Sequence, residues 1–205
     1  MLRFENFVLN SNKKILFTIE NLNWEDGKKI LIFANNNSGK SLLLKSINSD
    51  YFSFKGNIKI KEKSHLFYKK KKTTILIESI PYLLPEESIW KNIILPIPKV
   101  TTRLKQKIKE FCIIAGFNDK ISNKAKNVSY SEKKFIELIR AVIQLPYLIL
   151  LDDFDNYFDS INLKKAHEIC NFAVNNGSTV VVTSKTRLEN FDNIYRIQNK
   201  KVVQL

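Results

Sequence analysis

The strongest constraint on this chain is a Gly-Lys-Ser triplet between an apolar run and a helical pattern. Residues 30–33 are apolar, residues 34–41 read Ala-Asn-Asn-Asn-Ser-Gly-Lys-Ser, and three leucines follow. A strand, such a loop and a helix form a phosphate-binding loop: backbone N–H groups surround a phosphate, the lysine reaches the β- and γ-phosphates, and the hydroxyl contacts Mg²⁺. Asn37 stands where a glycine is usual, and asparagine best tolerates the left-handed backbone needed there. The alternative is an ordinary strand–turn–helix junction.

A second polar site follows another apolar run. Residues 148–151 are apolar at every position, which suits a strand covered on both faces of a parallel sheet, and Asp152 and Asp153 come next. Ligands of open α/β sheets bind at the carboxyl ends of strands. In phosphate-loop enzymes the first acid orients Mg²⁺ and the second orients the attacking water. A solvated strand end is the alternative for this pair alone, but both motifs together favour a nucleotide site.

Alternating strand and helix patterns predict an α/β fold with a mostly parallel sheet. Strands are expected at residues 15–19, 30–33, 58–60, 74–77, 147–151, 179–183 and 194–197, and helices at residues 40–47, 101–115, 131–144 and 163–175. Residues 84–144 contain no convincing strand. We therefore expect a core of residues 1–83 and 146–205 with an inserted helical subdomain at about 84–145. The lysine tract 69–72 is interpreted as a solvated turn, or otherwise as a contact to an acidic surface such as lipid headgroups.

Composition limits the partners. The chain has 205 residues, 44% of them hydrophobic and 26% charged, so it can bury one good core and is neither a disordered tail nor a small disulfide scaffold. Its net charge of +14 suggests an anionic partner, but 29 of its 34 basic residues are lysines, whereas arginine is favoured for reading bases. Specific nucleic-acid binding is therefore not expected. Cys112 and Cys170 lack metal-type spacing, and no secretion signal or membrane-span-length apolar run is predicted.

With both sites in place, the whole chain resembles the nucleotide-binding subunits of ABC (ATP-binding-cassette) transporters. Residues 127–133 lie where that family has its Leu-Ser-Gly-Gly-Gln signature, about 20 residues before Asp152. Gly27 precedes the phosphate-loop strand, and Gly177 precedes the strand that leads to the family's switch histidine. The resemblance implies a P-loop NTPase core, an N-terminal antiparallel β part and a helical subdomain.

The resemblance also implies the cofactors and the site residues. ATP and Mg²⁺ are the expected cofactors, with Ser41 and Asp152 at the metal and Asp153 and Ser184 at the catalytic positions. The adenine-stacking aromatic falls near Asn10, with Phe7 the nearest ring. The expected nucleotide-binding residues are Asn35, Asn36, Asn37, Ser38, Gly39, Lys40, Ser41, Ser79, Ser129 and Asp159.

Several of these positions depart from the family pattern. Asp153 replaces a glutamate, Ser184 replaces the switch histidine, and Ser79 replaces the glutamine of the Q-loop, unless a one-residue slip puts Glu78 there. Tyr130 and Ser131 replace two signature glycines. We therefore expect hydrolysis to be weak or absent. Ser129 and Glu132 also form a capping-box pattern, so the signature serves either as a helix cap alone or as a cap with a weakened contact to a partner's nucleotide.

The resemblance implies a partner and a location as well. An integral membrane subunit, a homodimer or heterodimer of nucleotide-binding domains, and a cytoplasmic position on the inner membrane are expected. Residues 89–96 resemble the short bacterial subunits that serve cell division and lipoprotein release, and a haem-export subunit is an alternative. An apolar cluster at residues 82–90 is the expected docking region. The rival functions are a non-catalytic scaffold with this fold and, with less support, a nucleic-acid-associated ATPase.

Overall fold

The computed structural model describes residues 1–11, 14–48, 54–70 and 73–205. The strands are β1 (Leu2–Ser11), β2 (Lys14–Trp24), β3 (Lys29–Phe33), β4 (Phe54–Ile60), β5 (Lys63–Ser64), β6 (Thr74–Ile77), β7 (Leu148–Leu151), β8 (Thr179–Ser184), β9 (Asn193–Gln198) and β10 (Lys201–Gln204). The helices are α1 (Lys40–Asn48), α2 (His65–Lys70), α3 (Ile89–Ile94), α4 (Thr102–Ala115), α5 (Tyr130–Val142) and α6 (Ser160–Asn175). Of the lysine tract 69–72, the first two residues end α2 instead of forming a turn, and the last two lie outside the described residues.

The described strands form one sheet in the order β5-β4-β1-β2-β10-β9-β3-β8-β7-β6. Strands β9, β3, β8, β7 and β6 pair in parallel, whereas β1 is antiparallel to both β2 and β4. The fold is therefore α/β and P-loop NTPase-like, with a parallel core and an N-terminal antiparallel part, as the sequence predicted. None of the helices in the described ranges has the length and apolar character of a membrane span.

Two apolar clusters cover the two faces of the sheet, and the uninterrupted apolar strands separate them. All four residues of β7 are buried. Leu148 and Leu150 pack into the cluster that contains α1 and the antiparallel strands, while Ile149 and Leu151 pack into the cluster with α5 and α6. This alternation explains why β7 carries no polar position until Asp152, where the strand ends.

Helices fill the chain between β6 and β7. This stretch contains α3, α4, α5 and two short 3₁₀ turns, Asn118–Lys120 and Ala125–Asn127. The only β pairing found there among the described residues is an isolated bridge between Ser88 and Lys124. This stretch therefore leads from β6 into the layer of helices that packs on one face of β3, β7 and β8.

The N-terminal strands differ from the sequence-based expectation. The strand expected at residues 15–19 extends over all of β2. The elements that were not predicted are β1, β5, β10, α2 and α3. The β1 pattern is obscured by a bulge: Asn6 has φ +47°, and the β1–β4 register shifts between Glu5 and Val8.

Candidate nucleotide site

The topology brings three strand ends to one place. Strand β8 lies between β3 and β7, with Phe33 paired to Ser184 and Leu151 paired to Val182. All three strands run parallel, so the loops that follow them leave the sheet at the same edge. The phosphate loop, the acidic pair and the end of β8 therefore meet at this edge.

The phosphate loop closes although Asn37 stands where a glycine is usual. Asn37 adopts the left-handed conformation predicted for it, with φ +62°. Gly39 has φ +96°, and a Cβ there would lie 3.0 Å from the Phe17 ring and 3.1 Å from Leu16, so glycine suits both the backbone and the space. Lys40 is buried, and its ammonium donates to the carbonyls of Ala34 at 2.9 Å and Asn35 at 3.2 Å. The lysine thus lies along the inside of the loop.

A polar cleft of about 590 Å³ lies over this loop. Seven of its lining residues were predicted from the sequence: Asn36, Asn37, Ser38, Gly39, Lys40, Ser41 and Asp153. Five were not: Ser11, Leu16, Leu42, Asn156 and Lys185. Ser11 and Leu16 come from the antiparallel strands, and no local motif marks them. Lys185 could have been found from the strand pattern, because it directly follows β8.

The two aspartates at the end of β7 occupy different environments. Asp152 is buried and accepts a hydrogen bond from the Thr183 hydroxyl at 2.7 Å. The same hydroxyl accepts the backbone N–H of Asp153 at 2.9 Å, so Thr183, which the sequence analysis did not single out, orients both acids. Asp153 has φ +46° and lines the cleft. Burial, then the charge of Asp152, raises the pKa of Asp153, against the opposing effect of the Lys40 ammonium.

The donor set fits magnesium bound together with a nucleotide. Among the described residues no cluster of three or more histidine, cysteine or acidic side chains could hold a metal alone. Mg²⁺, however, is usually bound through one or two carboxylates plus substrate phosphates. Here Asp152 offers one carboxylate and Ser41 a hydroxyl oxygen, and the nucleotide's phosphates would supply further oxygens. Ser38 Oγ, inside the loop, is buried without a hydrogen-bond partner, as expected for a group facing a ligand.

Six predicted site residues lie apart from the cleft lining: Asn35, Ser79, Ser129, Asp152, Asp159 and Ser184. Ser184 is fully buried, and its hydroxyl lies 2.8 Å from Asp155 Oδ2 and 2.6 Å from the Thr186 carbonyl. Ser79 is half-buried in the segment that follows β6. Glu78, its alternative, forms an ion pair with Lys45 at 2.6 Å. The expected roles of Ser184 and Ser79 stay predictions.

The signature segment caps a helix, as the sequence predicted. Ser129 Oγ accepts the N–H of Glu132 at 3.2 Å, and Glu132 Oε2 accepts the N–H of Ser129 at 2.8 Å. Burial alone would raise the pKa of Glu132, but the Ser129 hydrogen bonds and the Lys120 ammonium outweigh it and lower that pKa. Asp159 likewise caps α6 by accepting the Asn162 N–H at 2.7 Å.

Tyr130, which replaces a signature glycine, has a fixed neighbour. Its ring stacks on Tyr157 with centroids 5.2 Å apart and planes at 23°, and the Lys133 ammonium lies 5.3 Å from its centroid. The ring therefore lies against the turn after β7, with about half of its surface exposed.

The structure corrects the expectation for the base-stacking ring. Phe7 is fully buried and packs against Phe4, Phe17 and Phe54. Its ring cannot reach a base in the cleft. Leu16 is the apolar side chain that the cleft offers from the antiparallel strands.

A buried charged cluster on α5 holds the segment after β6. Lys134 donates to the Glu78 carbonyl at 2.5 Å and to Glu137 at 3.1 Å, and both side chains are about 5% exposed. Glu137 accepts the Tyr82 N–H at 2.7 Å, and Arg140 donates to the Tyr82 carbonyl at 2.9 Å. We call Lys134, Glu137 and Arg140 the α5 clamp.

Known proteins are similar to this chain in sequence and in fold. The ABC transporter family model matches residues 18–156. The uncharacterized ABC transporter ATP-binding protein YybJ of Bacillus subtilis is 27% identical over 187 residues, 86% of this chain and 84% of YybJ. The lipoprotein-releasing system ATP-binding protein LolD of Aquifex aeolicus is 25% identical over 171 residues, 78% of this chain and 76% of LolD. The fold matches a solved ATP-binding subunit of an ABC transporter with a TM-score of 0.83, over 98% of this chain and 88% of that one, at 14% identity.

Proposed function

The chain belongs to the ABC transporter family as an ATP-binding subunit, and from this premise we propose that it binds MgATP in the cleft over the phosphate loop. The observation that carries the proposal is the shared cleft: Lys40 and Ser41 of the loop line it together with Asp153 from the end of β7. Backbone N–H groups of the loop would surround the β-phosphate, and Lys40 would neutralise charge on the β- and γ-phosphates. Ser41 and Asp152 would hold Mg²⁺, and the bound ion would neutralise part of the phosphate charge.

Hydrolysis in this proposal is weak. Asp153 is one methylene shorter than the glutamate found at this position in the resembling family, so its carboxylate would stop short of the attacking water. Ser184 holds its hydroxyl against Asp155 and Thr186. The Tyr130 ring occupies the surface where the family has a glycine. Each feature removes or displaces a group that would position water or the γ-phosphate.

We further propose a membrane subunit as the partner, with residues 84–145 acting as the subdomain that faces it. Ile80 and Tyr82, in the segment that leads from β6 into this subdomain, expose 69% and 80% of their surface. Neighbouring exposed apolar side chains that are surrounded by charged residues are typical of interfaces. The chain would then sit on the cytoplasmic face of the membrane and pair with a second nucleotide-binding domain. The similarity to LolD supports a lipoprotein-release type of system.

Titration calorimetry with MgATP tests the nucleotide site. Lys40→Ala should weaken ATP binding at least tenfold, about 1.4 kcal/mol, because the variant loses the loop's ammonium. Lys105→Ala is the matched control: it removes an exposed lysine from α4, outside the cleft lining, and should leave the affinity unchanged. Thermal unfolding of each variant without nucleotide checks that Lys40→Ala still folds.

The same titration separates the proposal from its rival. An unmutated chain that binds no ATP at millimolar concentration would contradict the nucleotide site and leave a non-catalytic scaffold. Equal losses for Lys40→Ala and Lys105→Ala would place any binding somewhere other than the phosphate loop.

A further inference from the structure

The end of strand β8 places a second lysine in the nucleotide cleft. Lys185 lines the cleft together with Lys40, Asp153 and Asn156. Because β8 lies between β3 and β7, the residue after it lies between the phosphate loop and the acidic pair. Lys185 is exposed, and no carboxylate in the described part of the chain lies within ion-pair distance of its ammonium. Its charge is therefore available to a ligand.

Hydrogen bonds fix the backbone that carries this lysine. Ser184 Oγ accepts the Thr186 N–H at 3.0 Å and lies 2.8 Å from Asp155 Oδ2, while the Ser184 carbonyl accepts the Ala34 N–H at 3.2 Å. Residue 184 is thus tied on one side to the turn after β7 and on the other to the start of the phosphate loop. With the Ser184 side chain turned into the protein, Lys185 is the side chain that this strand end offers to the cleft.

From this geometry we propose that Lys185 is a nucleotide ligand that contacts the terminal phosphate and makes the site prefer a nucleoside triphosphate over a diphosphate. The inference rests on the proposed function, because it assumes that phosphates lie in the loop. The loop backbone and Lys40 hold the β-phosphate end of the chain. Lys185 borders the cleft beside Asp153 and Asn156, so a third phosphate extending towards Asp153 meets its ammonium, and a diphosphate does not reach it.

Charge favours the same assignment. Among the described residues that line the cleft, Lys40 and Lys185 are the cations and Asp153 is the anion. MgATP carries more negative charge than MgADP, and the difference lies on the terminal phosphate. Losing a charge-assisted hydrogen bond to that group lowers the affinity roughly tenfold or more.

Calorimetric titration of MgATP and MgADP into the full chain tests the assignment. Lys185→Ala should weaken ATP binding about tenfold and change ADP binding less than about twofold. Lys185→Arg keeps the charge and should retain most of the preference for ATP. Lys99→Ala removes an exposed lysine from a loop outside the cleft lining and should leave both affinities unchanged. The ATP affinity of Lys185→Ala should also fall less steeply with added salt than that of the unmutated chain.

The outcomes separate this inference from the function on which it rests. If the unmutated chain binds both nucleotides and Lys185→Ala keeps the same ATP-to-ADP ratio, the assignment of Lys185 is wrong and the nucleotide site stands. Equal weakening of ATP and ADP binding would also overturn it, because Lys185 would then contact the phosphates that both nucleotides share or would only stabilise the fold. If the unmutated chain binds neither nucleotide, both proposals fall.

Discussion

Asp153 combines three features that are unfavourable for a purely structural residue. Its backbone is left-handed, with φ +46°, its carboxylate lies beside that of Asp152, and burial raises its pKa. A non-glycine residue in this backbone region costs on the order of 1–3 kcal/mol and persists when the surrounding structure holds it. The Thr183 hydroxyl does so by accepting the Asp153 N–H. Strain and a raised pKa in one cleft residue are typical of a functional position.

The length of the Asp153 side chain leads to a prediction about rate. Unmutated protein should turn over ATP far below the ~1–100 s⁻¹ typical of kinases. Asp153→Glu extends the carboxylate by one methylene towards the water and should raise the ATPase rate about tenfold, at the lower end of the usual effect of a positioned base. Phosphate release by the purified chain measures it. Asp119→Glu, the same change at an exposed position in the first 3₁₀ turn, should have no effect.

Two results would contradict this account of Asp153. A brisk ATPase in the unmutated chain would show that the shorter acid suffices. No gain from Asp153→Glu would shift the limit to the Ser184 and Tyr130 positions. Ser184→His would place a larger ring where the serine is fully buried, so this variant is also expected to lower stability.

At the scale of elements, the parallel core was predictable, whereas the first N-terminal strand, β1, was not. The apolar runs of β3, β7 and β8 stand between polar turns, so their composition alone marks them. In β1 the buried residues Phe4 and Phe7 are three apart, which a regular strand would place on opposite faces. The bulge at Asn6 returns both rings to the same core. The backbone of Gly56 on β4 approaches this bulge so closely that a Cβ would lie 2.2 Å from the Asn6 carbonyl oxygen.

The site, like the fold, was predictable where local sequence patterns mark its residues. The loop residues and the acidic pair are contiguous motifs, so spacing found them. Leu16 and Lys185 enter the cleft because distant strands pair, and Thr183 matters because it bridges two residues of a neighbouring strand. The topology of the sheet, and no local pattern, defines Leu16 and Thr183, whereas the position of Lys185 directly after β8 could be read from the strand pattern.

The α5 clamp leads to a prediction about stability. Glu137→Ala removes the carboxylate that Lys134 and the Tyr82 N–H use, and both would be left buried without that partner. Breaking a buried pair in this way should cost about 3–5 kcal/mol of the free energy of unfolding. The double variant Lys134→Met, Glu137→Leu, which removes both charges, should cost less than the single change. Urea unfolding of the variants measures this.

An exposed pair on α4 provides the control for the clamp. Lys107 and Glu110 form an ion pair with side chains 35% and 44% exposed, and Glu110→Ala should cost less than about 1 kcal/mol. If Glu137→Ala were no more costly than Glu110→Ala, the clamp would not hold the segment after β6. If the double variant cost as much as Lys134→Met and Glu137→Leu measured singly and added together, the two charges would not interact.

At the scale of the whole molecule, the clamp determines what the protein presents to a partner. Glu137 and Arg140 bind the backbone N–H and carbonyl of Tyr82, so the ring is directed outward from a fixed backbone. Ile89 and Ile93 fill the interior beneath, and Ile80 and Tyr82 stay exposed. A surface whose backbone is already ordered loses less conformational entropy when it binds. This favours a docking surface over a mobile loop.

Tyr82→Ala should therefore release the chain from membranes while leaving ATP binding intact. The ring supplies exposed apolar surface, whereas the backbone contacts that hold the segment do not depend on the side chain. Leu83→Asp, which adds a charge beside it, should have the same effect. Fractionation of cells of the source organism measures membrane association. ATP titration of the purified variants measures nucleotide binding. Ile113→Ala is the control, because Ile113 is likewise an exposed apolar residue, at 63%, but lies on α4. This variant should stay in the membrane fraction. If the unmutated chain stayed wholly in the soluble fraction, the proposal of a membrane partner would be wrong. The preformed apolar surface would then bind a partner of another kind.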